Sequence, residues 1–176
     1  ILTNRDIIHG HIKRYINTTD EDICAPESLG EEALRDAMVA LAHCISLNEK
    51  AIVIVDCDCD GYTSSALLIN YLHDLFPAWV ENNLDWFMHG GKQHGLSDFP
   101  MERAEEYKLF LIPDAGSNDY EYHKYLKDMG KDIIVLDHHE AERVSDNAII
   151  INNQLSDYSN KDMSGVGIVW QFCRYM

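Results

Sequence analysis

Three aspartates at alternate positions, Asp56, Asp58 and Asp60, lie in the stretch AIVIVDCDCDGYTSSALL that runs from Ala51 to Leu68. Acids at that density repel one another, and a buried carboxylate without a partner is costly, so the cluster calls for a cation. A divalent metal meets the need with one group. Two other readings of the same residues lead elsewhere. Asp-x-Asp-x-Asp-Gly also opens a calcium-binding EF-hand loop, which needs a glutamate at its twelfth position and a helix in front. Here the twelfth position is Leu67 and a strand pattern precedes. The other alternative, an acidic turn solvated at the surface, stands until the remaining acids and histidines are placed.

Further donors lie downstream: His94 in the glycine-rich loop HGGKQHGL, Asp114 after LFLIP, and the run Asp137, His138, His139. Singly, each has a plain reading. Asp114 caps a turn, the Asp-His-His run is a solvated loop, and a lone glycine-rich loop is weak evidence. Together they make an oxygen-rich set with some nitrogen, suited to Mn²⁺ or Mg²⁺ rather than to a thiolate zinc site. Such a set can hold two metals about 3.5 to 4 Å apart, a pair that activates water and clamps a phosphoryl oxygen.

These donors converge only if the chain folds so that separate segments deliver them to one place. Ala51 to Val55 is a short β-branched run that reads as a strand buried on both faces, and the pattern after Gly61 reads as a helix. On an extended backbone Asp56 and Asp58 would project together, with Cys57 and Cys59 turned away. Leu84 to Met88, Leu109 to Ile112, Asp132 to Leu136 and Ala148 to Ile151 read as further strands. Helical patterns cover Asp6 to Asn17, Ser28 to Leu47, Met101 to Tyr107, Asp119 to Met129, and the chain from about Gly165. In the second of these, Leu34, Met38, Leu41, Ala42 and Ile45 form the core-facing stripe. Pro77 breaks the chain. Strands separated by helices indicate βαβ units, so the fold class is α/β, a mostly parallel sheet with helices on both faces. Three of the strands deliver acids or histidines at their C-terminal ends, where open α/β sheets bind ligands.

A chain of 176 residues with 46% apolar content is long enough for one such domain with a real core. The formal charge of -16 is the opposite of a nucleic-acid-binding footprint, which needs a basic face, although bound cations offset part of it locally. Five cysteines without paired CxxC spacing, no signal-peptide pattern and no apolar run near membrane-spanning length point to a reducing cytoplasm and no membrane.

The segments VDCDCDGYTSSALL, LIPDAGSND, VLDHHE and NNQLSDYSNKDMSGVGIVWQF, in this order and spacing, resemble the motifs of the DHH phosphoesterase superfamily. Within it they are most similar to the RecJ type of single-strand-specific exonuclease. The likeness runs from about residue 49 onward, so it implies residues 49–176 as a Rossmann-like DHH catalytic domain and residues 1–48 as a helical segment packed on it. It implies that Asp56 and Asp58 are metal ligands, and that Asp114 is a carboxylate shared between two Mn²⁺ ions, with Mg²⁺ an alternative. His138 would bind one metal, Asp137 would orient the histidine pair, and His139 would face the scissile phosphate. Asp60 matches a third acid acting behind the ligands, and His94, Gly95 and Leu96 match a substrate-contacting loop.

Two departures from the family pattern matter. Its further aspartate ligand lies beyond the glycine-rich fourth motif, and no residue from Ile168 to Met176 can supply it. Its second, substrate-gripping domain is also missing from these residues, so this length of chain is expected to be weak or inactive alone. The resemblance implies metal-dependent phosphodiester hydrolysis on single-stranded DNA, with 5'-3' polarity. Relatives in the superfamily act on short oligonucleotides, cyclic dinucleotides or pyrophosphate, but the triple acid favours the exonuclease branch. A non-catalytic replication scaffold of the same fold is the alternative from another class; retention of Asp56, Asp58, Asp114, His138 and His139 argues against it.

Overall fold

Apolar runs too short for helices and rich in Val, Ile and Leu become strands. The computed structural model describes residues 9–19, 23–91 and 94–176. Among these, β1 (Ala51–Val55), β2 (Leu84–Met88), β3 (Leu109–Pro113), β4 (Asp132–Asp137) and β5 (Ile149–Asn152) form one sheet in the order β2-β1-β3-β4-β5. All four pairings are parallel. The helices are α1 (Ile12–Ile16), α2 (Glu31–Ser46), α3 (Cys59–Leu75), α4 (Pro77–Asn83), α5 (Tyr120–Asp128) and α6 (Gly165–Tyr175).

Alternation along each strand divides the interior in two. Val53, Val55, Leu109, Leu111, Ile134, Leu136 and Ile151 face one layer, where they meet Leu34 and Leu41 of α2, Leu68 and Leu72 of α3, and Ile168 and Phe172 of α6. Ile52, Ile54, Phe110, Ile112, Ile133 and Val135 face the other, against Leu96, Phe99, Tyr107 and Leu126. Burial of a Leu or Ile side chain contributes about 1.5–3 kcal/mol relative to exposure, so a sheet covered on both faces is firmly held. Its strand ends become a fixed frame.

The expected strands and the sheet's parallel character match, and the differences are local. Pro77 does not simply interrupt the chain. It is the first residue of α4, a position that a proline's fixed φ favours, and this helix was not anticipated. Gly30 adopts a φ of 119°, so the segment expected as one helix from Ser28 splits into a 3₁₀ turn at Pro26–Leu29 and α2. The buried stripe of α2 is Leu34, Ala37, Leu41 and Cys44, while Ala42 is exposed. Met101–Glu106 is a 3₁₀ helix. The first expected helix is partly seen as His9–His11 and α1; its portion before residue 9, including Ile7 and Ile8, lies outside the described residues, as does Lys92 of the glycine-rich loop.

The order of the strands locates the functional crevice. From β1 the chain moves outward to β2, then returns to place β3 on the other side of β1. A reversal of this kind opens a gap at the carboxyl ends, here between β1 and β3. Val53 pairs with Leu111, Pro113 with Leu136, and Asp137 with Asn152. Carried to the strand ends, these registers set Asp56, Asp114, Asp137 and Asn152 in one row along the rim.

Candidate metal centre and active site

Strand β1 stops at Val55, one residue before Asp56, and α3 begins at Cys59. Asp58 is therefore not on an extended strand. It is the N-cap of α3, its Oδ1 accepting a hydrogen bond from Gly61 N at 2.9 Å, as a short acid at that position commonly does. The turn is so tight that a Cβ on Gly61 would lie 2.5 Å from Cβ of Asp56 and 2.7 Å from its carbonyl oxygen. This corrects the expected alternation. Asp56 and Asp58 do reach a common space, but through the cap geometry, and Cys57 is not turned away: its Sγ lies within 4.8 Å of donor atoms of Asp56 and His94.

Asp114 follows β3 with a φ of 65°, a left-handed conformation that Asp tolerates better than most residues. Its amide is held by the Leu136 carbonyl at 2.8 Å, and its carboxylate is buried. Among the described residues neither oxygen has a hydrogen-bond partner. Burial, then the charges of Asp60 and Asp58, push its pKa up to about 8. Donor oxygens of Asp56, Asp58 and Asp114 lie within 4.8 Å of one another, and donor atoms of Asp114, His138 and His139 do the same. His138 Nε2 is 3.3 Å from Asp114 Oδ1 and 3.7 Å from Asp60 Oδ2. A buried carboxylate that accepts no hydrogen bond, facing further acids and an imidazole, is what a divalent cation needs and a metal-free core does not tolerate well. The donor chemistry fits Mn²⁺ or Mg²⁺.

The histidine pair is built on Asp137, the last residue of β4. Its Oδ1 accepts from the backbone N–H groups of His138 (2.7 Å) and His139 (3.1 Å) and sits 2.8 Å from His139 Nδ1; its Oδ2 accepts from Ser117 N at 3.0 Å. Burial works against ionisation of Asp137, but the hydrogen bonds from His139 and Ser117 outweigh it and hold its pKa below the ordinary value. The same contact with Asp137 raises His139 to about 9, so His139 is an exposed imidazolium at neutral pH. It lines a cleft of about 320 Å³ together with His94, Asp119 and the turn Ala115–Asn118.

Asp60 lies between His138 and α6. Its two oxygens accept from Gly165 N (2.7 Å) and Val166 N (2.9 Å), the first amides of α6, where helix N-termini favour anions. The acid thus ties α3 to α6 and brings Gly165 against Asp114 so closely that a Cβ there would lie 1.9 Å from Oδ1. His94 Nδ1 lies 2.9 Å from both Asp56 oxygens. Gly95 has a φ of 63°; any Cβ would meet Asp119 Oδ2 at 2.2 Å, the oxygen that accepts from Leu96 N.

Some supporting residues carried no expectation. Asn152 Nδ2 donates to His139 O and Ser117 Oγ, and Gln154 Nε2 donates to His138 O and Lys161 O. These amides fix the main chain under both histidines. Their only sequence signal was the polar end of β5, whose position beside β4 was not legible. A concavity of about 640 Å³ between α2 and β5 contains none of the expected metal donors.

The profile of the DHH family, N-terminal domain, matches residues 50–176. The chain is 39% identical over 175 residues to YorK of Bacillus subtilis (strain 168), a prophage SPbeta-derived protein named as a single-strand DNA-specific exonuclease. That alignment takes in 99% of this chain and 29% of YorK. It is 28% identical over 163 residues to the single-stranded-DNA-specific exonuclease RecJ of Bacillus subtilis, covering 89% of this chain and 20% of RecJ. The chain thus spans less than a third of the length of either relative. A solved structure of exonuclease RecJ bound to manganese superposes with a TM-score of 0.68 at 22% identity, covering 80% of this chain and 36% of that one, a likeness of fold.

Proposed function

The chain belongs to the DHH family, contributing its N-terminal domain, and from that premise we propose that it is the catalytic domain of a RecJ-like, metal-dependent phosphodiesterase that digests single-stranded DNA with 5'-3' polarity. The observation that carries the reading is Asp114: a buried carboxylate that accepts no hydrogen bond from the described residues, ringed by donors of Asp56, Asp58 and His138. We assign Asp56, Asp58, Asp114 and His138 as ligands of two Mn²⁺ ions, with Mg²⁺ as substitute. When bound, such a pair supplies Lewis acidity toward a phosphoryl oxygen and a nucleophilic water at neutral pH.

The chain's own residues do the rest. Asp58 spends Oδ1 on the α3 cap and keeps Oδ2 for a cation. Asp137 holds His139 as an imidazolium, a fixed positive charge for the phosphoryl oxygens in a site that is otherwise acidic. Asp60 acts behind the ligands by anchoring α6, and His94 with Gly95 borders the cleft in which a nucleotide would lie. Residues 49–176 form the catalytic unit, and among the described residues before them α2 packs on it. With a formal charge of -16, the chain relies on bound cations and on surface supplied elsewhere in the full-length protein to hold a polyanion. No helix among the described residues is long and apolar enough to cross a membrane, and no disulfide joins the five cysteines; both support a cytoplasmic setting.

The test is digestion of a labelled single strand by the full-length product of the reading frame, with Asp58→Ala and His138→Ala beside the wild type. Loss of Mn²⁺-dependent mononucleotide release in both variants is expected. Full activity in either refutes the assignment, and faster turnover of a dinucleotide or pyrophosphate than of DNA moves the protein to a small-substrate branch.

A further inference from the structure

Asp56, Cys57 and His94 bring three different donor elements together at one edge of the acidic site. Asp56 is 1% exposed, yet among the described residues its two oxygens receive a hydrogen bond from a single group, His94 Nδ1, at 2.9 Å to each. A buried carboxylate offers about four lone-pair sites, so one shared hydrogen leaves most of that capacity unused. Cys57 Sγ lies within 4.8 Å of the oxygen and nitrogen donors. Two metal bonds of about 2.05 Å at the tetrahedral angle put their donor atoms about 3.3 Å apart, and a nitrogen–sulfur pair about 3.6 Å. A cation entering in place of the shared hydrogen needs a small opening of the His94–Asp56 contact and the Cys57 sulfur at about 3.6 Å from the nitrogen.

The main chain that carries the imidazole is held in place, and among the described residues Asp56 alone positions the ring. Ser97 Oγ donates to the His94 carbonyl at 3.0 Å, the next carbonyl, of Gly95, lies 2.8 Å from Nε2 of the buried His89, and Leu96 N is fixed by Asp119. Supports of this kind decide whether a donor set binds a metal or merely contains the right elements. Sulfur, nitrogen and oxygen donors suit Zn²⁺ or Co²⁺, whereas the neighbouring carboxylates Asp58 and Asp114 suit Mn²⁺ or Mg²⁺.

We infer that Asp56, Cys57 and His94 form a thiolate-containing metal site that adjoins the carboxylate site through Asp56 and differs from it in metal preference. The inference rests on the reading of Asp56 as a cation ligand made above. It deepens that reading by assigning His94 and Cys57 as ligands, with a soft-metal site beside a hard one.

Titration of the purified chain with Co²⁺ under reducing, anaerobic conditions tests it, with Mn²⁺ binding followed in the same preparation by electron paramagnetic resonance. Thiolate-to-Co²⁺ charge transfer in the near ultraviolet is expected at one equivalent. The band should vanish in Cys57→Ser, persist in Cys59→Ser, and require at least about tenfold more Co²⁺ in His94→Gln. Cobalt X-ray absorption on the wild type reads the same Co–S bond without any variant. Mn²⁺ binding together with Co²⁺ bound free of sulfur overturns this inference alone, as does a band that survives in Cys57→Ser. Failure to bind either ion brings down the metal-centre reading and this inference with it.

Discussion

Replacing Asp114 with Asn should make the metal-free protein more stable while abolishing its affinity for Mn²⁺. The carboxyl ionises at 3.8 in the unfolded chain and at about 8 in the fold, chiefly because burial strips it of water. The folded state therefore holds a proton that the unfolded state has lost, and the stability present at low pH drains away as pH rises toward 8. Between pH 5 and pH 8 that difference amounts to about 3–4 kcal/mol. Asn carries no such charge and accepts the left-handed backbone at this position, where φ is 65°. Its amide does have to be buried, which costs about 1–3 kcal/mol at every pH and leaves the slope untouched. His139, raised to about 9 by Asp137, also loses stabilisation as pH climbs from 6.5, but does so in both proteins and largely cancels. Urea denaturation of the chain with chelator present, at unit steps from pH 5 to 8, measures the gap between variant and wild type. It should widen by about 3–4 kcal/mol in favour of Asn. Adding Mn²⁺ at a hundredfold excess over its dissociation constant should then stabilise the wild type by about 2.7 kcal/mol and leave the variant unmoved. Parallel stability curves, with a gap that stays constant across the pH range, would refute the claim that this carboxylate is held ready for a cation.

Three further outcomes follow from particular contacts. Gly165→Ala puts a methyl where Asp114 Oδ1 now sits, so Mn²⁺ affinity measured by calorimetry should fall at least about tenfold while far-ultraviolet dichroism is unchanged; normal affinity contradicts the close approach. Asp60→Ala removes both acceptors from the start of α6 and should cost about 1–2 kcal/mol in urea denaturation. Faster hydrogen exchange at Gly165 and Val166 should accompany that loss, and unaltered exchange would speak against the anchor. His123 is fully buried beside Ser145 and burial lowers its pKa to about 4, so the unfolded chain takes up a proton that the fold refuses. Stability present above pH 6.5 should decline toward pH 4 by about 3 kcal/mol. In His123→Gln that part of the acid sensitivity should be missing, and identical acid curves for the two proteins would exclude it.

Periodicity and strand-end chemistry carried most of the fold. Val53 to Val55, Leu109 to Ile112 and Ile133 to Leu136 are apolar at every position because both faces are covered, and that pattern needs no knowledge of neighbours. Pro77 misled because proline ends one helix and begins another with equal ease, and only the packing of Trp79 and Val80 decides for α4. The spacing of Asp56 and Asp58 suggested the right company for the wrong reason, since a helix cap rather than a pleat sets Asp58 beside Asp56 and Asp114. What could not be read was everything that depends on strand order. The reach of Asp60 to α6, the support of His138 and His139 by Asn152 and Gln154, and the turn of Cys57 toward His94 all arise from neighbours far apart in the chain.

Diffraction from crystals grown with Mn²⁺, recorded on both sides of the manganese absorption edge, puts the central claim to the most direct test. Anomalous density should appear within bonding distance of Asp58, Asp114 and His138 together. Density elsewhere, or none in a crystal that retains this arrangement of the three side chains, would contradict it.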